Sequence, residues 1–103
     1  MIKVSVMYAN EEGKEFDMDY YCKSHMPMVK EKICKALLKL EIDEGLGGGA
    51  PGAPVSYIAM GHFYFDSVES FQTIFAPHAD DIMADIPNYT DIEPSIQVSE
   101  VKI

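Results

Sequence analysis

An α+β fold with its elements in the order β-α-β-β-α-β is predicted from three observations. Period-two alternation of apolar and polar residues recurs over 2–8, 38–43, 55–65 and 95–103. Apolar residues at helical spacing run through 16–33 and again from Val68 towards Ile86. Glycine, proline and asparagine clusters fall between these stretches. The order is that of the ferredoxin-like fold, a four-stranded antiparallel sheet with two helices on one face.

The first strand sets Ile2, Val4, Val6 and Tyr8 against Lys3, Ser5 and Met7, so one face is well buried. Asn10-Glu11-Glu12-Gly13 makes a polar turn. The helix then begins near Phe16-Asp17, with acidic residues at 15, 17 and 19 suited to the positive end of its dipole. Met18, Tyr21, Cys22, His25, Val29 and Ile33 share one side of it. Pro27 removes a backbone N–H and clashes with the carbonyl four residues back, so a kink or a restart of the helix is expected there.

In the second strand Leu38, Leu40 and Ile42 alternate with Lys39, Glu41 and Asp43, and the charged alternates suit a sheet edge. Residues 45–54, rich in Gly, Ala and Pro, read as a connection between antiparallel strands or as a flap over a pocket. They are not a phosphate loop, because no Lys-Ser/Thr pair follows and the chain enters a strand and not a helix. The third strand, 55–65, puts Val55, Tyr57, Ala59, Gly61, Phe63 and Phe65 on one side. Ser56, Ile58, Met60, His62 and Tyr64 take the other. Two largely apolar faces ask for a cover on both, and a second copy of the sheet would supply it.

Asp66 with Glu69 reads as a capping box for a second helix with the stripe Val68, Phe71, Phe75. His78 continues that stripe. Pro77 should start a separate turn or helix, with Asp80 and Asp81 near its positive end and Ile82 and Ile86 inward. Pro87 to Asp91 is turn chemistry, and the phase break near Ser99-Glu100 predicts a bulge in the final strand.

With 103 residues the chain is expected to form one domain, 1–103, near the size at which a monomer buries its surface inefficiently, so self-association is anticipated. Its formal charge of −9 leaves no basic surface for nucleic acid or anionic membrane. The sequence begins directly with a strand pattern and holds no apolar run of spanning length, which points to a cytoplasmic protein. Cys22 and Cys34 stand about 18 Å apart if both lie on one helix, at 1.5 Å per residue, too far to pair. No sequence motif calls for a metal or a cofactor.

His25 is the candidate that the pattern itself raises. A titratable ring inside an apolar stripe needs a hydrogen-bond partner or a task, because an unpaired buried polar group costs about 1–3 kcal/mol. A tie to a neighbouring carbonyl satisfies that need as well as a ligand does.

Phe16-Asp17, Tyr20-Tyr21, His25-x-Pro27-x-Val29, the 45–54 loop, Gly61-His62 and Ala76-Pro77-His78-Ala79 together resemble the EthD family, over nearly the whole chain. The resemblance implies a dimeric α+β barrel, two ferredoxin-like subunits packed sheet to sheet. It also implies a small hydrophobic organic ligand between sheet and helices in each subunit. His25, His62 and His78 become candidate acid/base groups, a neutral imidazole contributing typically 10²–10⁴-fold where well placed. Pro77-His78-Ala79 resembles the position from which related polyketide cyclases supply a histidine. Tyr20, Tyr21, Tyr57 and Tyr89 become candidate donors to a ligand, and Met60 stands for the methionines that suit an adaptable apolar pocket. A non-catalytic accessory to an oxygenase system of the ethyl tert-butyl ether degradation type is the alternative implied by the same resemblance. Haem binding through one histidine is a further one.

Overall fold

The computed structural model describes residues 1–103. Its four strands are β1 (Ile2–Ala9), β2 (Lys39–Glu44), β3 (Tyr57–Phe65) and β4 (Ser95–Glu100). They form one antiparallel sheet in the order β2-β3-β1-β4, so the charged second strand lies at an edge as its alternation predicts. Tyr57 and not Val55 opens β3. The bulge expected in β4 is absent. Residues Ile2 to Met7 pair in unbroken register with Glu100 to Ser95, and the one register shift in the sheet falls at Tyr8/Ala9 against β3. A phase break in β4 needs no bulge because Ile96 and Val98 sit half-exposed at an edge, where alternation is weakly enforced.

The first helix, α1, spans 18–33 in three parts: an α-helical turn Met18–Tyr20, a π-helical stretch Tyr21–His25 and an α-helical segment Met26–Ile33. Asp17 caps it by accepting the Tyr20 N–H at 3.1 Å. Pro27, in the first turn of the third part, acts where the sequence placed the disturbance, and α-geometry resumes at Met26. The helix resolves it with one wide turn, the Met26 N–H reaching back five residues to the Tyr21 carbonyl. That turn rephases the buried face. Tyr21, His25, Met26, Val29 and Ile33 are buried, whereas Cys22, expected on the stripe, is exposed.

The second helical layer comprises α2 (Val68–Phe75), a 3₁₀ turn Ala76–His78, α3 (Ala79–Asp85) and a second 3₁₀ turn Ile86–Asn88. Ser67, and not Asp66, caps α2, accepting the Ser70 N–H at 3.1 Å. Its hydroxyl is short enough to reach that N–H from the extended backbone at 67. Both layers pack on one face of the sheet. Ile2, Val4, Tyr8, Ala59, Phe63 and Phe65 meet Tyr21, Met26, Val29, Ile33 and Ile82 there, each fully buried large side chain contributing about 1.5–3 kcal/mol.

The opposite face is more polar than β3 alone suggested. Met7, Met60 and Tyr64 stand beside Lys3, Lys39, Glu41 and Asp43, all brought to that face by the pairing register. The mixture arises because the edge strand β2 brings Lys39, Glu41 and Asp43, β1 brings Lys3 and Ser5, and β4 brings only Ser95, Gln97 and Ser99. No helix is long and apolar enough to cross a membrane.

Candidate functional site

Between the sheet and the helices lies a cavity of about 80 Å³ with a mainly hydrophobic wall. Val4, Val6 and Tyr8 of β1 and Phe63 and Phe65 of β3 form its floor, and Tyr21, His25, Met26 and Val29 of α1 form one side. Phe71, Phe75, Ile82 and Ile86 close the other. Met83 and Ile96 also line it and are 46% and 53% exposed, so the cavity reaches solvent beside them. Such a space, small and with few polar groups, is suited to a compact apolar molecule.

His25, at the end of the π-helical stretch, is only 2% exposed. Its Nδ1 donates to Asp85 Oδ2 at 2.8 Å. Asp85 is fixed in turn: its Oδ1 accepts from Tyr20 Oη at 2.7 Å and from Asn88 Nδ2 at 2.8 Å. With Nδ1–H committed to a carboxylate, the neutral ring carries its lone pair on Nε2. That atom has no protein hydrogen-bond partner. Burial pushes the imidazole below its ordinary 6.5, more than the neighbouring Asp85 pulls it up, which favours the neutral base. Burial also pushes the Asp85 carboxyl up, but bonds from Asn88, His25 and Tyr20 outweigh it and hold the group below the usual carboxylate range. The arrangement is a carboxylate-oriented histidine at the wall of an apolar cavity.

An aromatic cluster backs this pair. Tyr89 packs 4.6 Å from the His25 ring, and Tyr21 stacks on the same ring at 5.9 Å with planes 16° apart. Tyr8 Oη and Tyr89 Oη lie 2.6 Å apart, while Tyr21 Oη is the one buried side-chain polar atom without a partner. The Asp17 N–H bond to the Tyr89 carbonyl, at 2.7 Å, and the Phe16–Thr90 bridge clamp the start of α1 against the chain before β4.

The structure brings together His25, Tyr20, Tyr21 and Tyr89 of the candidates that the sequence raised. Of these only Tyr21 and His25 line the cavity, Tyr20 reaching Asp85 and Tyr89 packing on the His25 ring behind it, and the remaining candidates lie elsewhere. His62 points from β3 to the opposite sheet face, where Nδ1 meets Ser5 Oγ at 3.0 Å and Nε2 meets Asp43 Oδ2 at 3.1 Å. His78 is half-buried in its 3₁₀ turn and does not line the cavity. Tyr57 and Met60 border a separate depression beneath Gly45 to Gly49. Asp85, Asn88 and Tyr8 were not singled out as site residues. Asp85 had a legible sign, since it follows Ile82 by three positions on the inward stripe of α3, where a carboxylate is out of place without a partner. Histidine, cysteine and carboxylate side chains nowhere gather in a group of three or more able to hold a metal ion.

Comparison with known proteins agrees with this architecture. Residues 10–93 match the EthD domain. An EthD-like protein from Ralstonia eutropha is 47% identical, with a TM-score of 0.94 over 99% of this chain and 92% of its own. An ethyl tert-butyl ether degradation (EthD) family protein from Bacillus halodurans is 18% identical with a TM-score of 0.69, covering 99% of both chains. At 11% identity, a dimeric protein of ferredoxin-like fold from Bacteroides fragilis superposes with a TM-score of 0.62 over 97% of this chain and 95% of its own. No curated protein matches the sequence. The domain match over most of the chain, together with the near-complete 47% relative, establishes that this chain belongs to the EthD family.

Proposed function

We propose that this protein, a single EthD domain over 1–103, binds a small hydrophobic organic molecule in the cavity between sheet and helices, with His25 as its acid/base group. One observation carries the reading: a buried histidine that lines the cavity is oriented through Nδ1 by Asp85 and has no protein partner at Nε2. A histidine kept only for packing would have both nitrogens satisfied or be replaced by an apolar residue. His62 and His78 lie outside this cavity, so the acid/base role rests on His25 alone. A cavity of about 80 Å³ suits a compact molecule and not a porphyrin, which sets the haem alternative aside.

The functional unit in this proposal is a homodimer joined through the open sheet face. Half-buried Met60 and Tyr64 there favour a cover, and a structural neighbour of the same fold is dimeric. Charged neighbours such as Lys39, Glu41 and Asp43 would rim the contact. The cavity lies on the other side of the sheet, so each subunit keeps its own.

Native mass spectrometry of gently purified protein tests both parts. A dimer carrying an organic mass is expected, with any turnover lost on His25→Gln while the fold persists. An empty monomer that takes up no small apolar compound would overturn the reading. Turnover by the isolated protein separates this role from that of an accessory to an oxygenase, for which binding occurs without turnover.

A further inference from the structure

Tyr21 is fully buried, and its hydroxyl is the buried side-chain polar atom that the fold leaves unpartnered. The two nearest tyrosines offer no relief, because Tyr8 and Tyr89 bond to each other. Phenylalanine would fill the same space without an unpaired hydroxyl, so the O–H is costly where it stands. The backbone also makes room for it: a Cβ on Gly61 would lie 2.7 Å from Tyr21 Oη, and glycine leaves that space open. Burial raises the phenol far above its ordinary value, which keeps the group a donor. Tyr21 and His25, their rings stacked within a single helix, both line the one apolar cavity, and each carries a polar atom without a protein partner, a donor on Tyr21 and an acceptor at His25 Nε2.

We infer that Tyr21 Oη anchors the ligand's oxygen and that the ligand is a compact carbonyl compound with a C–H next to its carbonyl, presented to His25 Nε2. This inference rests on the cavity reading given above. A hydrocarbon would leave both polar atoms unsatisfied. A carbonyl accepts from Tyr21, and its adjacent carbon carries the only hydrogen that a neutral imidazole can remove. In the reaction the Nε2 lone pair takes that hydrogen as a proton. The C–H electron pair becomes the C=C bond, and the carbonyl π pair moves to oxygen, where the Tyr21 O–H stabilises it. Asp85 steadies the imidazolium. Return of the proton to carbon restores neutral His25, and nothing is oxidised or reduced.

The test uses the whole protein in D₂O with cyclohexanone, cyclohexanol and cyclohexane as probes, reading affinity from NMR titration and α-deuteration of the ketone from mass spectrometry. Cyclohexanone is expected to bind about tenfold more tightly than cyclohexane, roughly one neutral hydrogen bond, and to exchange its α-hydrogens faster than in buffer. Tyr21→Phe, near-isosteric and checked for its melting transition, should erase the tenfold preference while cyclohexane still binds. His25→Gln should abolish the exchange but leave ketone binding. Equal affinities for all three probes, or a Tyr21→Phe protein indistinguishable from the parent, would overturn the inference and leave the cavity reading standing. Tighter binding of cyclohexanol, or ketone binding without exchange, would equally overturn it. If none of the three binds, the cavity reading falls as well.

Discussion

Replacing Asp85 by Asn tests the foundation of the site. Three donors converge on that carboxylate: His25 Nδ1 at 2.8 Å, Tyr20 Oη at 2.7 Å and Asn88 Nδ2 at 2.8 Å. An amide has one acceptor oxygen and one NH₂ group. If the oxygen faces Tyr20 and Asn88, the NH₂ opposes the Nδ1–H of His25; if it faces His25, the NH₂ opposes the other two. With the His25 tautomer unchanged, at least one donor loses its partner in either orientation, at a cost of about 1–3 kcal/mol. For a domain of this size about 2 kcal/mol lowers Tm by roughly 8–16 °C. The first orientation escapes that loss only if His25 shifts to the other tautomer, in which Nδ1 accepts and Nε2 carries the hydrogen. Thermal melts read the stability, and the ¹⁵N shifts of the imidazole read the tautomer. An Asp85→Asn protein with an unchanged Tm and with Nδ1 still protonated would refute the assignment of Asp85 as the orienting group.

Three further outcomes follow from the same contacts. Because burial holds His25 below its ordinary 6.5, the unfolded chain binds a proton that the native chain does not once the pH drops below that value. Stability is full above about 6.5 and is lost as the pH falls through the native value. Asp85, held below its ordinary 3.8, adds a second loss at more acid pH. Melts across this range should show the decline in the parent and a weaker one near pH 6 in His25→Gln; a flat parent profile contradicts it. Gly61→Ala places a methyl against the Tyr21 hydroxyl and should cost about 1–3 kcal/mol, largely recovered in the Gly61→Ala/Tyr21→Phe double variant. Additive losses in urea titrations would show that the two groups do not meet. Ser67→Ala removes the cap of α2 and should cost about 1 kcal/mol, whereas Asp66→Ala should leave the urea midpoint nearly unchanged.

Alternation and helical spacing were sufficient to order β1, α1, β2, β3, the second helical layer and β4, since each element's burial is written locally in its own period. The edge position of β2 was legible for the same reason, through Lys39, Glu41 and Asp43. His25 could be singled out because a titratable ring in an apolar stripe contradicts its surroundings, and the disturbance at Pro27 because proline chemistry is local. The partner of His25 was another matter. Asp85 lies sixty positions away and meets it only because α3 packs beside the π-helical turn. The shape of that turn was equally hidden. Spacing assigned Cys22 to the buried face, and one extra residue per turn exchanged it for Met26. His62 shows the same division: its strand and its phase were written in the sequence, but the face it joins became polar through Ser5 and Asp43 of neighbouring strands. The sequence by itself thus determined the elements, their order and the one histidine out of place. Only the tertiary structure decided which carboxylate orients that histidine, which tyrosine is left unpaired and where the cavity lies, because these depend on contacts between residues far apart in the chain.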